Sequence, residues 1–157
     1  MEKDRKQRIG KKTEEIKLRK YADIITDLKG GKSVVVSWNP WHGCRKISPG
    51  CTNCYVYRMD DRHGRNGGEV FRTAAFTLPV RRKRDGAYFI PLGEEVDLCF
   101  TSDFLLEDAD LWRPEVWKMI RCRQDLSFFF ITKRIHRLTE CIPADWGKGY
   151  PNVAIGC

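Results

Sequence analysis

Apolar residues recur every three or four positions in several stretches of the chain, and this spacing predicts amphipathic helices. The first stretch has Thr13 as its N-cap and is stopped by Gly30 and Gly31, whereas a later one carries Pro114 in its first turn, where proline is favoured. The predicted helices cover residues 13–28, 55–62, 113–122 and 133–141.

Short runs rich in β-branched and aromatic residues lie between these helices and predict buried strands. The predicted strands cover residues 33–38, 96–102, 127–132 and 152–157. Strands that alternate with helices favour right-handed crossovers and a parallel sheet, so the predicted fold class is α/β. Residues 63–95, which are rich in glycine, proline and charge, are predicted to form a long excursion that contains a hairpin.

Ligands of open parallel sheets bind at the carboxyl ends of the strands. Three polar groups follow predicted strands in this chain, so we expect them to share one rim. They are the cysteine-containing residues 44–54, Ser102 with Asp103, and Thr132 with Lys133 and Arg134.

The composition describes one domain of 157 residues with 41% hydrophobic residues, and no apolar run is long enough to span a membrane. We expect a basic N-terminal helical segment over residues 1–31 and the main domain over residues 32–157. The amino terminus lacks the apolar core of a signal peptide, which predicts a cytoplasmic protein without a membrane partner. Nothing in the pattern indicates an oligomeric state.

The net charge is +8, and much of the excess lies in residues 3–12 and residues 81–84. Such basic segments permit binding to the phosphates of nucleic acid. The same residues also suit a solvated tail and a solvated loop, and both interpretations stay open.

The seven cysteines are an odd number for a closed disulfide framework, and in a reducing compartment clustered cysteines favour metal or redox chemistry. Cys44, Cys51 and Cys54 lie in the segment WNPWHGCRKISPGCTNCY, where one short loop can place three thiolates on a metal centre. Structural zinc normally takes four protein ligands, and His42 is the nearest additional candidate. An iron–sulfur cluster held by three cysteines instead leaves one iron open to a small ligand.

This segment, followed by FTSDF at residues 100–104 and ITKRIHRL at residues 131–138, resembles the phage-associated three-cysteine-motif proteins. That family has no known function and is similar in pattern to radical S-adenosylmethionine enzymes. The resemblance runs from Trp38 to the last residue and implies a partial (β/α) barrel with the cluster loop after its first strand. The chain ends within a predicted strand, whereas the family continues, so we expect a barrel truncated at its C-terminus.

The resemblance implies a 4Fe–4S cluster on Cys44, Cys51 and Cys54, with S-adenosylmethionine as the ligand of its open iron. The commonest radical-enzyme loop spaces its cysteines three and two residues apart, but the first gap here is six residues. That loop also has an aromatic residue before its last cysteine, where this chain has Asn53 and places Tyr55 after the cysteine. Two functions follow: an iron–sulfur enzyme or its truncated remnant, and a zinc-stabilised binding module without catalysis.

Five residues are candidates for cofactor binding. Ser102 and Asp103 can accept hydrogen bonds from a ribose or amine, although Asp103 can equally cap the following turn. Lys133 and Arg134 can hold a carboxylate or phosphate, although a basic pair that opens a helix can also be solvated. Tyr55 is placed to pack against the cofactor.

The remaining candidates are predicted to have structural roles. Residues 67–69 spell the Gly-Gly-Glu motif of radical enzymes but are predicted to form a turn. The predicted core residues are Trp112, Trp117, Phe128, Phe129, Phe130, Cys99, Cys122 and Cys141; His63 and His136 are predicted to be surface or packing residues.

Overall fold

A computed structural model describes residues 35–157 of the chain. The predicted helix of residues 13–28, the basic residues 3–12 and the predicted domain of residues 1–31 lie outside the described residues. The described part has a mixed α/β fold. Its strands are β1 (Val36–Trp38), β2 (Trp41–His42), β3 (Phe71–Arg72), β4 (Glu95–Leu98), β5 (Ser127–Ile131) and β6 (Val153–Gly156), and its α-helices are α1 (Tyr55–Arg62), α2 (Arg113–Cys122) and α3 (Leu138–Cys141).

Four of the strands form a parallel sheet in the order β1-β4-β5-β6. Val36 pairs with Val96, Val96 with Phe128, and Phe128 with Val153, so the predicted parallel pairing is confirmed. The sheet is open, and the described residues contain no closed barrel. The carboxyl ends of all four strands therefore meet at one edge.

Two predicted elements differ from the structure by more than one residue at an end, for identifiable reasons. The strand predicted over residues 96–102 stops at Leu98, because Cys99 has a φ of 61° and a left-handed residue turns the chain out of the sheet. The helix predicted over residues 133–141 is replaced by a 3-10 turn at Ile135–Arg137 and the four residues of α3. Arg134 stays outside the helical region, with φ of −110° and ψ of 35°.

The core lies on one face of the parallel sheet. Phe128 and Phe130 are buried there, whereas Phe129 points to the opposite face and is 38% exposed, so the prediction that it belongs to the core is wrong. Successive side chains of a strand alternate between faces, which explains the difference. Phe104 joins the sheet to α2, because its ring lies 4.6 Å from that of Phe130 and 4.9 Å from that of Trp117. Burial of each such ring contributes about 2–3 kcal/mol.

The long excursion of residues 63–95 contains β3 and a turn. Strand β3 forms a short antiparallel ribbon with β2, which precedes the excursion, and an isolated antiparallel bridge joins Arg82 to Tyr88 across the turn at Gly86. The Arg82 guanidinium lies 3.9 Å from the centre of the Tyr88 ring and donates to the Gly86 carbonyl over 2.7 Å. Part of the basic run at residues 81–84 therefore stabilises this turn.

A buried arginine fixes the excursion to the end of α2. Arg123 is fully buried and donates to the Ile90 carbonyl over 3.0 Å and to the Pro79 carbonyl. Its charge is paired with Asp125 over 2.8 Å.

No helix in residues 35–157 is long and apolar enough to cross a membrane.

Candidate metal and cofactor site

The cysteine loop, residues 43–54, is hydrogen-bonded to the segment that follows β4. The Gly43 amide donates to the Thr101 carbonyl over 3.3 Å, and the Thr101 amide donates to the Asn39 side chain over 2.9 Å. The Ser102 hydroxyl donates to the Gly43 carbonyl. These bonds hold the loop after β1 against the end of β4, as expected for neighbouring parallel strands.

Eight of the nine residues that the sequence indicates for a metal or cofactor lie along one cavity of about 450 Å³, and His42 is the exception. The cavity opens at the carboxyl edge of the parallel sheet. These eight residues are Cys44, Cys51, Cys54, Tyr55, Ser102, Asp103, Lys133 and Arg134. Whether they bind a metal or a cofactor stays a prediction.

Local structure accounts for the path of the cysteine loop. Cys51 ends a 3-10 turn, Pro49–Cys51, and Cys54 is the N-cap residue of α1. Gly43 has a φ of 86°, and a Cβ at this position would lie 2.0 Å from the Glu69 carbonyl oxygen, so only glycine fits. The path of the chain from Trp41 to Cys44 therefore depends on this glycine.

Residues 67–69 support the cysteine loop from outside the cavity. The Gly67 carbonyl accepts the Cys44 amide over 3.0 Å, and the Gly68 carbonyl accepts the Arg45 guanidinium over 2.9 Å. The segment forms a turn, which confirms the prediction for the Gly-Gly-Glu residues.

Arg134 lies beside the first cysteine, Cys44, and is only 1% exposed. The alternative prediction, that the Arg134 side chain is solvated, is therefore wrong. Its Nη1 is 3.7 Å from Cys44 Sγ and 3.3 Å from Asp103 Oδ2. Burial opposes the charge, but Asp103, Cys44 and Glu107 outweigh it and raise the pKa of Arg134. Burial raises the pKa of the Cys44 thiol, although Arg134 partly offsets that effect.

Cys51 lies in a more exposed setting beside Lys133. The Lys133 ammonium is 3.7 Å from Cys51 Sγ, and the Ser48 hydroxyl oxygen is 3.5 Å from the same sulfur. Burial raises the pKa of Cys51, but hydrogen bonds from Ser48 and from the backbone at Ile47, together with the Lys133 charge, lower it to about 7. Low thiol pKa values favour the thiolate that binds metals.

The other nominated polar groups are engaged in holding the rim together. Asp103 is 5% exposed, and one of its carboxylate oxygens accepts the Leu105 amide over 2.9 Å, which is the turn-capping role. The Ser102 hydroxyl is bonded to Gly43, and the Tyr55 hydroxyl donates to the Phe100 carbonyl. The half-exposed ring of Tyr55 stays available to a ligand.

His42, the candidate fourth ligand for zinc, is engaged outside the cavity. Its Nε2 lies 2.7 Å from Asp60 Oδ2, and Asp60 is fully buried and also pairs with Arg65 over 2.9 Å. Within residues 35–157, no group of three His, Cys, Asp or Glu side chains has a geometry that could hold a metal ion. The donor set of three thiols with two nearby cations nevertheless fits an anionic thiolate centre.

Sequence reasoning missed that a fourth cysteine lines the cavity. Cys99 is buried, as predicted, but it also borders the cavity because its positive φ ends β4 there. Cys122 is exposed at the last position of α2, so its prediction as a core thiol is wrong. His63 and His136 are exposed, as expected for surface histidines.

The fold and the site define a class: an α/β domain whose cysteine-lined cavity lies at the carboxyl edge of a parallel sheet. Residues 33–157 match the DUF5131 family, which is described as a protein of unknown function, and the chain belongs to this family. No curated protein and no solved structure matches the chain.

Proposed function

We propose that this protein is an iron–sulfur protein of the radical S-adenosylmethionine type, with a 4Fe–4S cluster on Cys44, Cys51 and Cys54. The observation that carries the proposal is that all three cysteines line one cavity, with cations beside two of the sulfurs. We further propose that the parallel sheet is part of a (β/α) barrel. The similarity to the phage-associated family stays a prediction.

The surroundings of the sulfurs support a cluster over a zinc ion. Hydrogen bonds and positive charges beside cysteine sulfurs are the means by which proteins stabilise and tune iron–sulfur clusters. Zinc would require a fourth ligand, and the Nε2 of His42 is already engaged with Asp60. Cys99 also lines the cavity, but burial raises the pKa of its thiol well above the usual value, so this thiol stays protonated. Three protein sulfurs therefore suit a centre that keeps one position open.

The cavity also offers contacts to a small ligand beside the sulfurs. When bound, such a cluster supplies one electron to the sulfonium of S-adenosylmethionine. Val56, Phe100 and Ile131 provide an apolar wall next to the half-exposed ring of Tyr55, which suits a nucleobase. Lys133 carries its ammonium at the rim, where it can attract a carboxylate.

The alternative function is a zinc-stabilised module that binds nucleic acid or protein without catalysis. It rests on the same three cysteines and on the basic segments, of which residues 81–84 lie in the described part. For either function we propose a cytoplasmic location, because all seven cysteines are free and a reducing compartment preserves thiols.

Anaerobic purification and reconstitution followed by iron, sulfide and zinc analysis tests the proposal. We expect about four irons and four sulfides per chain and brown, thiolate-to-iron absorption, since a 4Fe–4S cluster has this composition. A variant with alanine at Cys44, Cys51 and Cys54 should lose the absorption, whereas the matched Cys122→Ala variant should keep it. One equivalent of zinc without iron would favour the binding module instead.

A further inference from the structure

Arg134 connects the cysteine loop to the segments that follow β4 and β5. Its Nη2 donates to the Arg45 carbonyl over 2.7 Å, and its Nη1 reaches Cys44 Sγ over 3.7 Å. On the other side, Nη1 is paired with Asp103 over 3.3 Å and Nε with Glu107 over 3.1 Å. One guanidinium therefore contacts four different residues.

The anchor on the Asp103 side is itself fixed. The Asp103 carboxylate accepts the Thr132 hydroxyl over 2.7 Å, the Leu105 amide over 2.9 Å and the Lys133 amide over 3.1 Å. Its orientation is consequently set by the backbone and side chains of two strand ends. The planar guanidinium meets this carboxylate through Nη1, while its Nε and Nη2 are held by Glu107 and by the Arg45 carbonyl. A lysine ammonium is a single point charge and could not hold three directions at once, which is the advantage of arginine here.

The contact with Arg134 orients the side chain of Cys44. The Cys44 backbone is held by two other groups, because its amide donates to the Gly67 carbonyl and its carbonyl accepts the Tyr57 hydroxyl. The residues that follow, Arg45 to Gly50, are exposed. Arg134 contacts both the sulfur of Cys44 and the carbonyl of the next residue, so it fixes the sulfur on the side that faces the cavity.

We propose that Arg134 is a positioning residue that presents the Cys44 sulfur to the metal centre and balances its thiolate charge. The inference deepens the proposed function, on which it rests for the presence of a metal at the three cysteines. It applies to any thiolate-binding metal at that place. Replacement of a residue that holds a metal ligand in place typically changes metal affinity by about 10- to 100-fold.

The contrast with Lys133 supports a specific role for Arg134. The Lys133 ammonium contacts Cys51 over 3.7 Å, yet Lys133 is exposed and its side-chain bond to the sulfur is also exposed. Arg134 is buried and held on three further sides, so only the Cys44 contact is fixed in position.

The test compares Arg134→Gln and Arg134→Lys with the matched control Arg137→Gln. Arg137 is an arginine three positions along the chain that also pairs with Glu107, over 3.7 Å. Its other partners within residues 35–157 are Asp110, Glu140 and the Leu105 carbonyl, and not the three cysteines. The first measurement is a Co²⁺ titration of the metal-free protein, followed by thiolate-to-cobalt absorption. The second is the reduction potential of the reconstituted cluster.

We expect Co²⁺ affinity to fall about 10- to 100-fold in Arg134→Gln and about 10-fold in Arg134→Lys, with Arg137→Gln like the wild type. The cluster potential should become more negative in Arg134→Gln, because a positive charge that favours the added electron is lost. It should stay closer to the wild type in Arg134→Lys, which keeps the charge beside Asp103 and hence the folded state.

Wild-type affinity in both Arg134 variants would overturn the inference, as would an equal loss in Arg137→Gln. Failure of the wild type to assemble an iron cluster would instead contradict the proposed function. In that event the Co²⁺ titration still tests the role of Arg134, so the two failures are distinguishable.

Discussion

The carboxylate of Asp103 accepts a hydrogen bond of 2.7 Å from the hydroxyl of Thr132. Asp103 follows β4 and Thr132 follows β5, so this bond joins the carboxyl ends of two neighbouring strands. Both residues are almost fully buried, at 5% and 2% exposure. The cavity edge is therefore a connected polar network, and Asp103 is its centre.

Replacement of Asp103 by alanine should destabilise the fold strongly. The change leaves the buried Arg134 guanidinium with only the half-exposed Glu107 as a carboxylate partner, and loss of one member of a buried pair typically costs about 3–5 kcal/mol. The free energy of unfolding from urea titration measures the effect. Glu107→Ala is the control: Glu107 also pairs with Arg134 but its side chain is 51% exposed, so less than about 1 kcal/mol should be lost. Equal losses in both variants would contradict the central position of Asp103.

Strand β5, which Thr132 follows, shows what the sequence predicts and what it leaves open. The three consecutive phenylalanines identify β5 correctly, but an uninterrupted apolar run does not show which side chains face the core. The structure buries Phe128 and Phe130 and leaves Phe129 partly exposed beside Phe100, with ring centres 6.1 Å apart. Side chains alternate between the two faces of a strand, but which face is buried depends on the elements that pack against the sheet.

Replacement of these phenylalanines by alanine should lower the stability of the protein by different amounts on the two faces of the sheet. We expect Phe128→Ala to cost about 3–5 kcal/mol, because it empties a packed site against Trp38 at a ring distance of 5.9 Å. Phe129→Ala should cost about 1 kcal/mol, since part of its ring is already in water. Chemical denaturation of both variants gives the comparison. A Phe129→Ala loss as large as that of Phe128→Ala would show that the exposed face is covered.

In the metal-free protein, Cys51 should be alkylated faster than Cys44 near neutral pH. The pKa of Cys51 is lowered to about 7, whereas burial raises the pKa of Cys44 above its usual 9.0. The Cys51 rate should therefore rise through pH 7 and level off by about pH 8, while the Cys44 rate still increases above pH 9.

Iodoacetamide labelling across this pH range, read by peptide mass spectrometry, measures both rates. Ser48→Ala removes the hydroxyl beside Cys51 Sγ and should move the Cys51 profile to higher pH. The profile of Cys44 provides the internal control, and its displacement by the same substitution would argue against a local hydrogen-bond effect.

The basic excess should support salt-sensitive, sequence-tolerant binding to nucleic acid, because contacts from Lys and Arg to phosphates release counterions. Arg82 is engaged with Tyr88, so Lys83 and Arg84 are the residues of the run to change. Replacing both by glutamine should reduce the slope of log K against log salt by about 1–2. Lys118→Gln/Lys148→Gln removes the same charge elsewhere and should have a smaller effect. No retardation of single- or double-stranded probes at low salt would refute the prediction.

The parallel sheet and the rim could be predicted because strand–helix alternation constrains both handedness and the edge at which loops collect. The contacts within the rim could not. Lys133 and Arg134 are adjacent and basic in the sequence, yet one is exposed and the other is buried against Asp103. Arg134 can be buried because it pairs with Asp103, which lies 31 positions earlier in the chain. A local sequence pattern does not show such a long-range pairing. The turn at Cys99 was missed for a similar reason, since non-glycine residues rarely adopt a positive φ.

The most direct test of a three-cysteine cluster with an open iron is electron paramagnetic resonance of the anaerobically reconstituted, reduced protein, recorded with and without S-adenosylmethionine. We predict the signal of a reduced 4Fe–4S cluster, and we predict that it changes when the cofactor is added, because only a cluster with a position free of cysteine can bind it directly. The signal should be absent when Cys44, Cys51 and Cys54 are replaced by alanine. A cluster signal that the cofactor leaves unaltered would contradict the open iron, and a silent, zinc-loaded protein would contradict the cluster itself.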